Sequence, residues 1–164
     1  MNNALDAFDL RLLTLLQEDA RLTHAELGER IHLSASQVSR RLQRLIDHGI
    51  IRHIRAELDA GRLGMGLKAY CLVTLKAHGA GRMRDFYRRV MALPQIIECQ
   101  SLTGEADYLL KVVTPDLKAF SDFISNDLLK ASEVAHVRTS IVLESIKENA
   151  PYALDHLKPH ATKG

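Results

Sequence analysis

The spacing of the hydrophobic residues divides the chain into a helical first part and a second part of mixed type. Between residues 5 and 49, apolar residues recur every three or four positions, which is the spacing of one helical face. The pattern predicts a first helix at about 6–18, a short second helix at about 24–31 and a third at about 35–48. The turn between the second and third helices is short, so this pair is predicted to form a helix-turn-helix.

Polar residues at the predicted helix starts support these boundaries. Asp6 is expected to cap the first helix, because a side-chain oxygen at that position accepts a free backbone N–H. Thr23 and Glu26 have the S/T-x-x-E spacing of a capping box at the start of the second helix. Ser34 is expected to cap the third helix, and Gly49 follows its end in the position that glycine commonly takes.

After Gly49 the apolar and polar residues alternate with a period of two. Residues 50–58, IIRHIRAEL, are predicted to form a strand or small hairpin, which would be a wing beside the helices. Residues 58–66 are rich in glycine and are predicted to be a hinge, because their glycine spacing is not that of a phosphate-binding loop. The sequence therefore predicts a first domain at 1–57 and a second at 67–164.

From residue 67 onward the pattern predicts the order β-α-β-β-α-β, which is typical of a ferredoxin-like domain. The fold class is therefore α+β. In the second predicted helix, Leu117 and Phe120 are expected on the inner side. The polar last residues, 150–164, are expected to be frayed. The predicted strands are LKAYCLVTLKA, IIECQSL, DYLLKVVT and VAHVRTSIVLESI, and the predicted helices are GRMRDFYRRVMAL and DLKAFSDFISNDLL.

The first strand of the second domain has apolar residues on both of its faces. Cys71 and Val73 face one way, while Tyr70 and Leu72 face the other. Two helices can cover only one face of a small sheet. We therefore expect a second copy of the chain to cover the open face, in a homodimer with two-fold symmetry.

Charge is concentrated on the third helix and the segment that follows it. The whole chain has 46% hydrophobic and 26% charged residues and a formal net charge of only +2 at pH 7. Residues 34–56 alone contain five arginines and one aspartate, which gives a local charge of +4. On a helical wheel, Val38, Leu42 and Leu45 form the buried stripe, which leaves the arginines on the outer face and one flank.

An arginine-rich helix face is in many proteins merely solvated surface. Here it follows a short helix and a tight turn, which is the arrangement in which a second helix enters the major groove of DNA. We therefore expect the chain to bind double-stranded DNA. Residues expected to approach base edges are Ser36, Gln37, Arg40 and Arg41, and those expected to neutralise phosphates are Arg44, Arg52 and Arg55.

Other kinds of chemistry have little support in the sequence. Cys71 and Cys99 lie in apolar runs without CxxC spacing, so buried free thiols are expected rather than zinc ligands. The eight histidines have no metal-ligand spacing, and no nucleophile motif is found. We therefore expect neither enzymatic activity nor a bound cofactor or metal. The sequence shows no signal peptide and no apolar run that could span a membrane, so a cytoplasmic location is expected.

Three segments of the chain resemble the Lrp/AsnC family of transcriptional regulators. They are residues 5–58, residues 102–112 (LTGEADYLLKV) and residues 137–147 (VRTSIVLESIK). The resemblance implies an N-terminal winged helix-turn-helix and a C-terminal βαββαβ domain that senses amino acids. It also implies dimers that assemble further into tetramers, octamers or larger rings, with a small effector in a cleft between dimers.

The resemblance further implies an effector site around the turn at 103–107. The family's turn often has the order Gly-Asp-aromatic-Asp, whereas this chain has Gly104, Glu105, Ala106 and Asp107, which leaves the identity of the effector open. From the residues alone, Gly104 makes a hairpin turn that Asp107 caps. The resemblance implies instead that backbone N–H groups near Gly104 hold a carboxylate and that Asp107 takes an ammonium. The implied effector residues are Thr103, Gly104, Glu105, Asp107, Leu117, Ser140 and Val142.

Two alternative functions stay open at this point. A branch of the same family decarboxylates siroheme, and such a tetrapyrrole decarboxylase needs histidines near its substrate rather than an arginine-rich helix. A ligand-independent architectural DNA-binding protein shares the expected DNA contacts and lacks only control by an effector. A Soret absorption band would reveal the first, and a titration with amino acids separates the second from a regulator.

Overall fold

The computed structural model describes residues 5–76 and 80–157 of the chain. These residues divide into two units. One consists of the described residues up to Ala56 together with those from Lys147 onward, and the other is Glu57–Ile146. Within the described ranges, no helix has the length and apolar composition that crossing a lipid bilayer requires.

Three helices form the first unit: α1 (Ala7–Glu18), α2 (His24–Ile31) and α3 (Ala35–Asp47). The predicted helices are thus confirmed to within one residue at each end. Every helix starts with a reciprocal capping box, in which the N-cap side chain and the third helical residue each accept the other's backbone N–H. The N-cap residues are the predicted ones, Asp6, Thr23 and Ser34.

A small apolar core lies between these helices. Leu12 of α1 and Leu27 and Ile31 of α2 are almost completely buried. From α3, the predicted stripe supplies Val38 and Leu45, which are also buried. The core contains few side chains, so the capping boxes are important for defining where each helix begins.

The turn between α2 and α3 depends on a close approach of the backbone at Gly28. The residue that ends α2, His32, has a left-handed conformation with φ of 59°. The next backbone N–H, that of Leu33, donates to the carbonyl oxygen of Gly28 over 2.9 Å. A Cβ atom on Gly28 would lie only 2.3 Å from the carbonyl oxygen of Leu33, so glycine is needed for this turn.

The prediction of a strand at 50–58 is wrong. Residues 52–59 have no regular secondary structure, and the N–H groups of Ile50 and Ile51 both donate back to the carbonyl of Leu45 in α3. An alternating pattern identifies side chains that share a face, but a strand also needs a hydrogen-bonded neighbour. The described part of the first unit supplies no such neighbour.

The C-terminal segment, which the sequence assigned to the second domain, belongs in part to the first unit. The Gln17 side chain accepts the N–H of Tyr152 over 2.7 Å and donates to its carbonyl over 3.3 Å. A carboxamide has the same donor and acceptor as a peptide group, so it can hold an extended chain at two points. Frayed ends were predicted for 150–164, of which residues 158–164 lie outside the described residues.

The second unit has the predicted order of elements, which are β1 (Leu67–Leu75), α4 (Ala80–Ala92), β2 (Ile96–Ser101), β3 (Tyr108–Thr114), α5 (Leu117–Phe123) and β4 (Val134–Ile141). The strands form one antiparallel sheet in the spatial order β2-β3-β1-β4. This connectivity confirms the predicted ferredoxin-like fold.

The core of the second unit lies between one face of the sheet and the two helices. Cys71 and Val73 of β1 pack there with Phe86 of α4 and Phe120 of α5. The Cys71 thiol is free and buried, as predicted, and burial raises its pKa to about 11. Cys99 is also free but only half-buried.

Both ends of the last helix depart from the prediction. Leu117 is 61% exposed rather than turned inward, because it lies in the first turn of α5 and the buried stripe begins only at Phe120. After Phe123 the chain continues as a π-helical turn over Ile124–Leu128. The wider turn lets Phe123 and Leu128, five residues apart, both face the core.

The opposite face of the sheet is less covered. Tyr70 of β1 is 36% exposed, and Leu72 and Thr74 on the same face are half-buried. The predicted alternation along β1 is therefore confirmed, with one face in the core and one face open.

We expect Gly28→Ala to disturb the helix-turn-helix. The new methyl group would overlap the Leu33 carbonyl oxygen, and forced shifts of this kind cost about 1–3 kcal/mol of unfolding free energy. Gly81→Ala in α4 is the matched control, because a Cβ atom there meets nothing within 4 Å. Urea denaturation should show a loss for the first variant and a gain of up to about 1 kcal/mol for the second. Equal stability of Gly28→Ala and wild type would contradict the packing argument.

Glu133 should make the second unit sensitive to acid. Burial alone would raise its pKa, but hydrogen bonds from Arg89, its own backbone N–H and Ser132 lower the pKa overall. The Arg89 contact measures 2.8 Å from Nε to Oε1. A lowered pKa in the folded state means that the ionised group stabilises the fold above the unfolded pKa and that this contribution is lost as the pH falls through the folded pKa.

Glu133→Gln should therefore weaken the dependence of stability on pH between about pH 6 and about pH 3. Urea midpoints measured across this range test the expectation. Glu144→Gln, which removes an exposed carboxylate of the same unit, serves as the control and should keep the wild-type slope. An unchanged slope in Glu133→Gln would mean that the Arg89 pair does not contribute.

Candidate functional site

The outer face of α3 carries three of the residues predicted to approach base edges, and Ser36, Gln37 and Arg40 are all exposed there. Two of them also serve the helix start. The Gln37 side-chain oxygen accepts the N–H of Ser34 over 2.9 Å, and the Ser36 hydroxyl lies 3.1 Å from that of Ser34. Across residues 5–76 and 80–157, no side-chain hydrogen bond or ion pair involves Arg40. Its guanidinium therefore faces solvent.

Arg41 and Arg44 turn toward α1 instead. Nη1 of Arg41 donates to Oδ1 of Asp9 over 2.8 Å and to Oδ2 of Asp6 over 2.7 Å. Nη2 of Arg44 donates to the other oxygen of Asp9. The sequence-based prediction assigned both arginines to DNA and gave Asp9 no role. The available signal was the spacing of Asp6 and Asp9, which is that of a capping box whose second acid can also reach a neighbouring helix.

This cluster of Asp6, Asp9, Arg41 and Arg44, which we call the carboxylate clamp, stabilises charged side chains. Burial alone would raise the pKa of Asp6, but the N–H of Asp9 and the guanidinium of Arg41 lower it overall. Burial would likewise lower the pKa of Arg41, whereas its hydrogen bonds to the two carboxylates raise it. The guanidinium of Arg41 also lies 5.3 Å from the centroid of the Phe8 ring. Asp6 and Arg41 therefore stay ionised at neutral pH.

A cavity of about 290 Å³ opens on the outer side of α3 between Gln37, Arg40, Arg41 and Arg44. Three guanidiniums border this space. Those of Arg41 and Arg44 already donate to the carboxylates of Asp6 and Asp9, so the guanidinium of Arg40 is the one left to meet an anionic oxygen there.

Arg52 and Arg55, predicted to contact phosphates, are exposed in the irregular segment after α3. Both line a cavity of about 510 Å³ that also includes Leu13 and Leu16 of α1. Arginine stems can cover apolar surface while the charged ends stay in water. The guanidiniums are thus available on the first unit, although no strand carries them.

In the second unit, the turn between β2 and β3 is fixed by Asp107. Its backbone N–H donates to the carbonyl of Val73 over 3.0 Å, and its carboxylate Oδ2 accepts the N–H of Leu75 over 2.7 Å. Gly104 has φ of 125°, a conformation that favours glycine. The arrangement agrees with the hairpin-cap interpretation of Asp107, and one carboxylate oxygen is already used inside the sheet.

A cavity of about 520 Å³ lies next to this turn on the open face of the sheet. It brings the predicted effector residues Thr103 and Glu105 together with His136 and Arg138 of β4. The last two were missed by the sequence analysis. Their spacing of two residues in a strand places both on one face, and pairing of Arg138 with Leu72 identifies that face as the open one. The remaining lining residues are Leu72, Thr74, Leu102, Ala106 and Val137.

Three predicted effector residues lie away from this cavity. Ser140 pairs with Tyr70, four residues along β4 from His136, which corresponds to roughly 13 Å of strand. Val142 follows β4 and donates its N–H to the carbonyl of Lys68 over 2.9 Å. Leu117 is exposed at the start of α5. A single chain therefore does not bring these three together with the turn.

The histidines in the part of the chain that the structure describes are not gathered into a metal site. No group of three His, Cys, Asp or Glu side chains comes together there to hold a metal ion. His136 lines the cavity on the open face, and His78 and His160 lie outside the described residues. The exposed histidines of the first unit are His24, His32, His48, His53 and His156.

Comparison with known protein families matches both units. Residues 5–52 match the family described as winged helix-turn-helix DNA-binding. Residues 68–152 match the family described as the Lrp/AsnC ligand binding domain. The two matches together cover most of the chain.

Individual relatives match over most of the length of both proteins. The leucine-responsive regulatory protein of Rhizobium meliloti is 38% identical over 88% of this chain and 92% of its own length. The Bkd operon transcriptional regulator of Pseudomonas aeruginosa is 33% identical over 87% of this chain and 93% of its own. A transcriptional regulator from Neisseria meningitidis, solved as a complex with L-Met, is 39% identical, covers 94% of this chain and 99% of its own, and has a TM-score of 0.89. The chain therefore belongs to the Lrp/AsnC family of transcriptional regulators.

Proposed function

We propose that this protein is a sequence-specific DNA-binding regulator whose affinity for DNA responds to a small amino acid. The observation that carries the DNA-binding part is the exposed guanidinium of Arg40 on the second helix of a helix-turn-helix. A guanidinium in that position can bond both acceptors of a guanine edge in the major groove. The family relationship supports the same location for DNA.

Exposed residues of α3 and of the irregular segment after it have different roles in binding DNA. Ser36, Gln37 and Arg40 approach base edges, while Arg52 and Arg55 neutralise phosphates. Base recognition is not assigned to Arg41, because Asp6 and Asp9 already hold its guanidinium. Arg44, which was predicted to contact phosphate, is likewise held by Asp9.

The effector binds in the cavity on the open face of the sheet. An amino acid carries an ammonium and a carboxylate, and this cavity is lined by Glu105 and Arg138, one partner for each charge. Asp107 supports the turn rather than the ammonium, since its Oδ2 accepts the N–H of Leu75. The relative from Neisseria meningitidis, solved with L-Met, supports an amino acid as the class of ligand.

Assembly links the two sites in this proposal. A second copy covers the open face of the sheet, which would bury Tyr70 and Leu72 and pair two recognition helices for a pseudo-palindromic site. Further assembly to tetramers or octamers follows from the family resemblance. An effector bound in the cavity on this face shifts DNA affinity only by binding two assembly states unequally.

The Arg40→Ala variant should lose sequence preference. Without the bidentate contact, affinity for the preferred duplex should fall by about 1–3 kcal/mol, with little change for unrelated DNA. Arg52→Ala should instead weaken all duplexes alike and flatten the salt dependence by about one unit of slope. Fluorescence anisotropy with a duplex selected from a random library and a scrambled duplex measures both effects across a salt series.

Arg88→Ala is the matched control, because it removes one exposed guanidinium from α4 of the second unit. It should bind both duplexes as wild type does. If Arg40→Ala keeps the full preference for the selected duplex at every salt concentration, α3 is not the helix that recognises bases.

The effector should raise the melting temperature of the protein by mass action. A thermal-shift screen against the twenty amino acids identifies it. Glu105→Gln and Arg138→Met should each weaken the response at least about tenfold in ligand concentration, because each leaves one charge of the ligand unpaired. Lys118→Met, which removes an exposed charge from α5, should respond as wild type does.

Asp107→Asn distinguishes a supporting residue from a ligand-binding one. It should lower the melting temperature without ligand, since the charged bond to Leu75 contributes about 1.5–3 kcal/mol. The increase in melting temperature produced by ligand should largely persist.

A protein that binds DNA but whose stability and DNA affinity respond to none of the amino acids would instead be a ligand-independent architectural protein.

A further inference from the structure

We propose that Asp9 is a positioning residue for DNA recognition, which holds Arg41 and Arg44 away from the phosphate backbone and leaves Arg40 as the free guanidinium of α3. This inference rests on the proposed function, in which α3 enters the major groove. It assigns a role in specificity to a carboxylate that lies on a different helix and does not touch DNA.

Asp9 is built into the protein as an acceptor for α3. Its side chain is fully buried, yet both of its oxygens are occupied. Oδ1 accepts from Arg41, and Oδ2 accepts from Arg44 and from the backbone N–H of Asp6. A buried carboxylate is stable only when it is paired in this way. The pairing therefore fixes two side chains of α3 whenever the first unit is folded.

The guanidiniums of Arg41 and Arg44 are paired but remain partly exposed to solvent. The side chain of Arg41 is 23% exposed and that of Arg44 is 46% exposed. Both border the cavity that also includes Arg40. Without the clamp, all three guanidiniums would thus be free to move toward any phosphate that approaches this face.

The effect of the carboxylate clamp on DNA binding follows from the charges that it offsets. Asp6 and Asp9 offset two of the three guanidinium charges around the cavity, so one net positive charge remains. Each additional phosphate neutralised by a protein adds about 0.9 to the slope of log affinity against log salt, and it does so on any sequence. By limiting the number of phosphates that α3 neutralises, the carboxylate clamp keeps affinity for unrelated DNA low. The base contacts of Arg40 are unaffected.

The test is the Asp9→Asn variant, which keeps the size of the side chain and removes its charge. We expect it to bind unrelated DNA more tightly than wild type, with a salt slope steeper by about one. Its advantage over wild type on unrelated DNA should grow about fourfold when salt is lowered from about 200 mM to about 50 mM. The ratio of affinities for the selected and scrambled duplexes should fall. A merely structural loss would weaken binding to both duplexes and leave the slope unchanged.

Asp6→Asn provides a second, milder variant. Asparagine caps helices as well as aspartate does, so α1 should form normally while Arg41 loses one charged partner. The same increase in slope and loss of preference are expected. Glu29→Gln removes an exposed carboxylate from α2 and controls for long-range charge, so its effect on the slope should be smaller than that of either clamp variant.

The outcomes separate this inference from the proposed function. Suppose that Arg40→Ala loses sequence preference, while folded Asp9→Asn and Asp6→Asn keep the wild-type salt slope and preference. Asp9 is then only a structural residue, so this inference is overturned and the proposed function stands. If Asp9→Asn does not fold, as judged by circular dichroism, the slope of Asp6→Asn decides in the same way. If Arg40→Ala itself keeps full preference, the proposed role of α3 fails and the inference fails with it.

Discussion

A four-stranded sheet has two faces, and the described helices of the second unit pack on one of them. Residues of β1 that point to those helices, such as Cys71 and Val73, are completely buried. The alternate residues remain partly accessible, and the cavity with Glu105 and Arg138 lies among them. The core thus lies on one side of the sheet, and the cavity that we propose as the effector site lies on the other. A ligand can therefore be accommodated without repacking the core.

The first unit has only a small apolar core, because three short helices bury little apolar surface. Its helices are defined by reciprocal capping boxes and by the close contact of Gly28 with Leu33. The Asp9 carboxylate then joins α1 to α3 through Arg41 and Arg44. Polar contacts thus contribute to the stability of this unit, whose apolar core is small. The same contacts determine which positive charges reach the outer surface.

Local patterns in the sequence were sufficient for most of the fold. Thr23, Glu26 and Ser34 act within one helical turn, so their spacing was enough to predict the helix starts, and the alternation in β1 was enough to identify the buried face. Interactions between distant segments were not predictable in this way. The spacing of Arg41 gave no indication of a partner on α1, and the alternation at 50–58 gave no indication that a partner strand was missing. In the candidate site, Thr103 and Glu105 came from the family resemblance, whereas Arg138 was found only once strand pairing was known.

Because Gln17 holds the main chain of Tyr152, the first unit contains residues from both ends of the chain, with the second unit as one continuous insertion between them. Synthesis proceeds from the amino terminus at about 5–20 residues per second, and domains fold as they emerge. The helices α1, α2 and α3 therefore leave the ribosome well before the segment that packs on α1. The contact between Gln17 and Tyr152 can form in a nascent chain only after the second unit has been translated, so a product truncated within the second unit would lack this contact as well as part of the sheet.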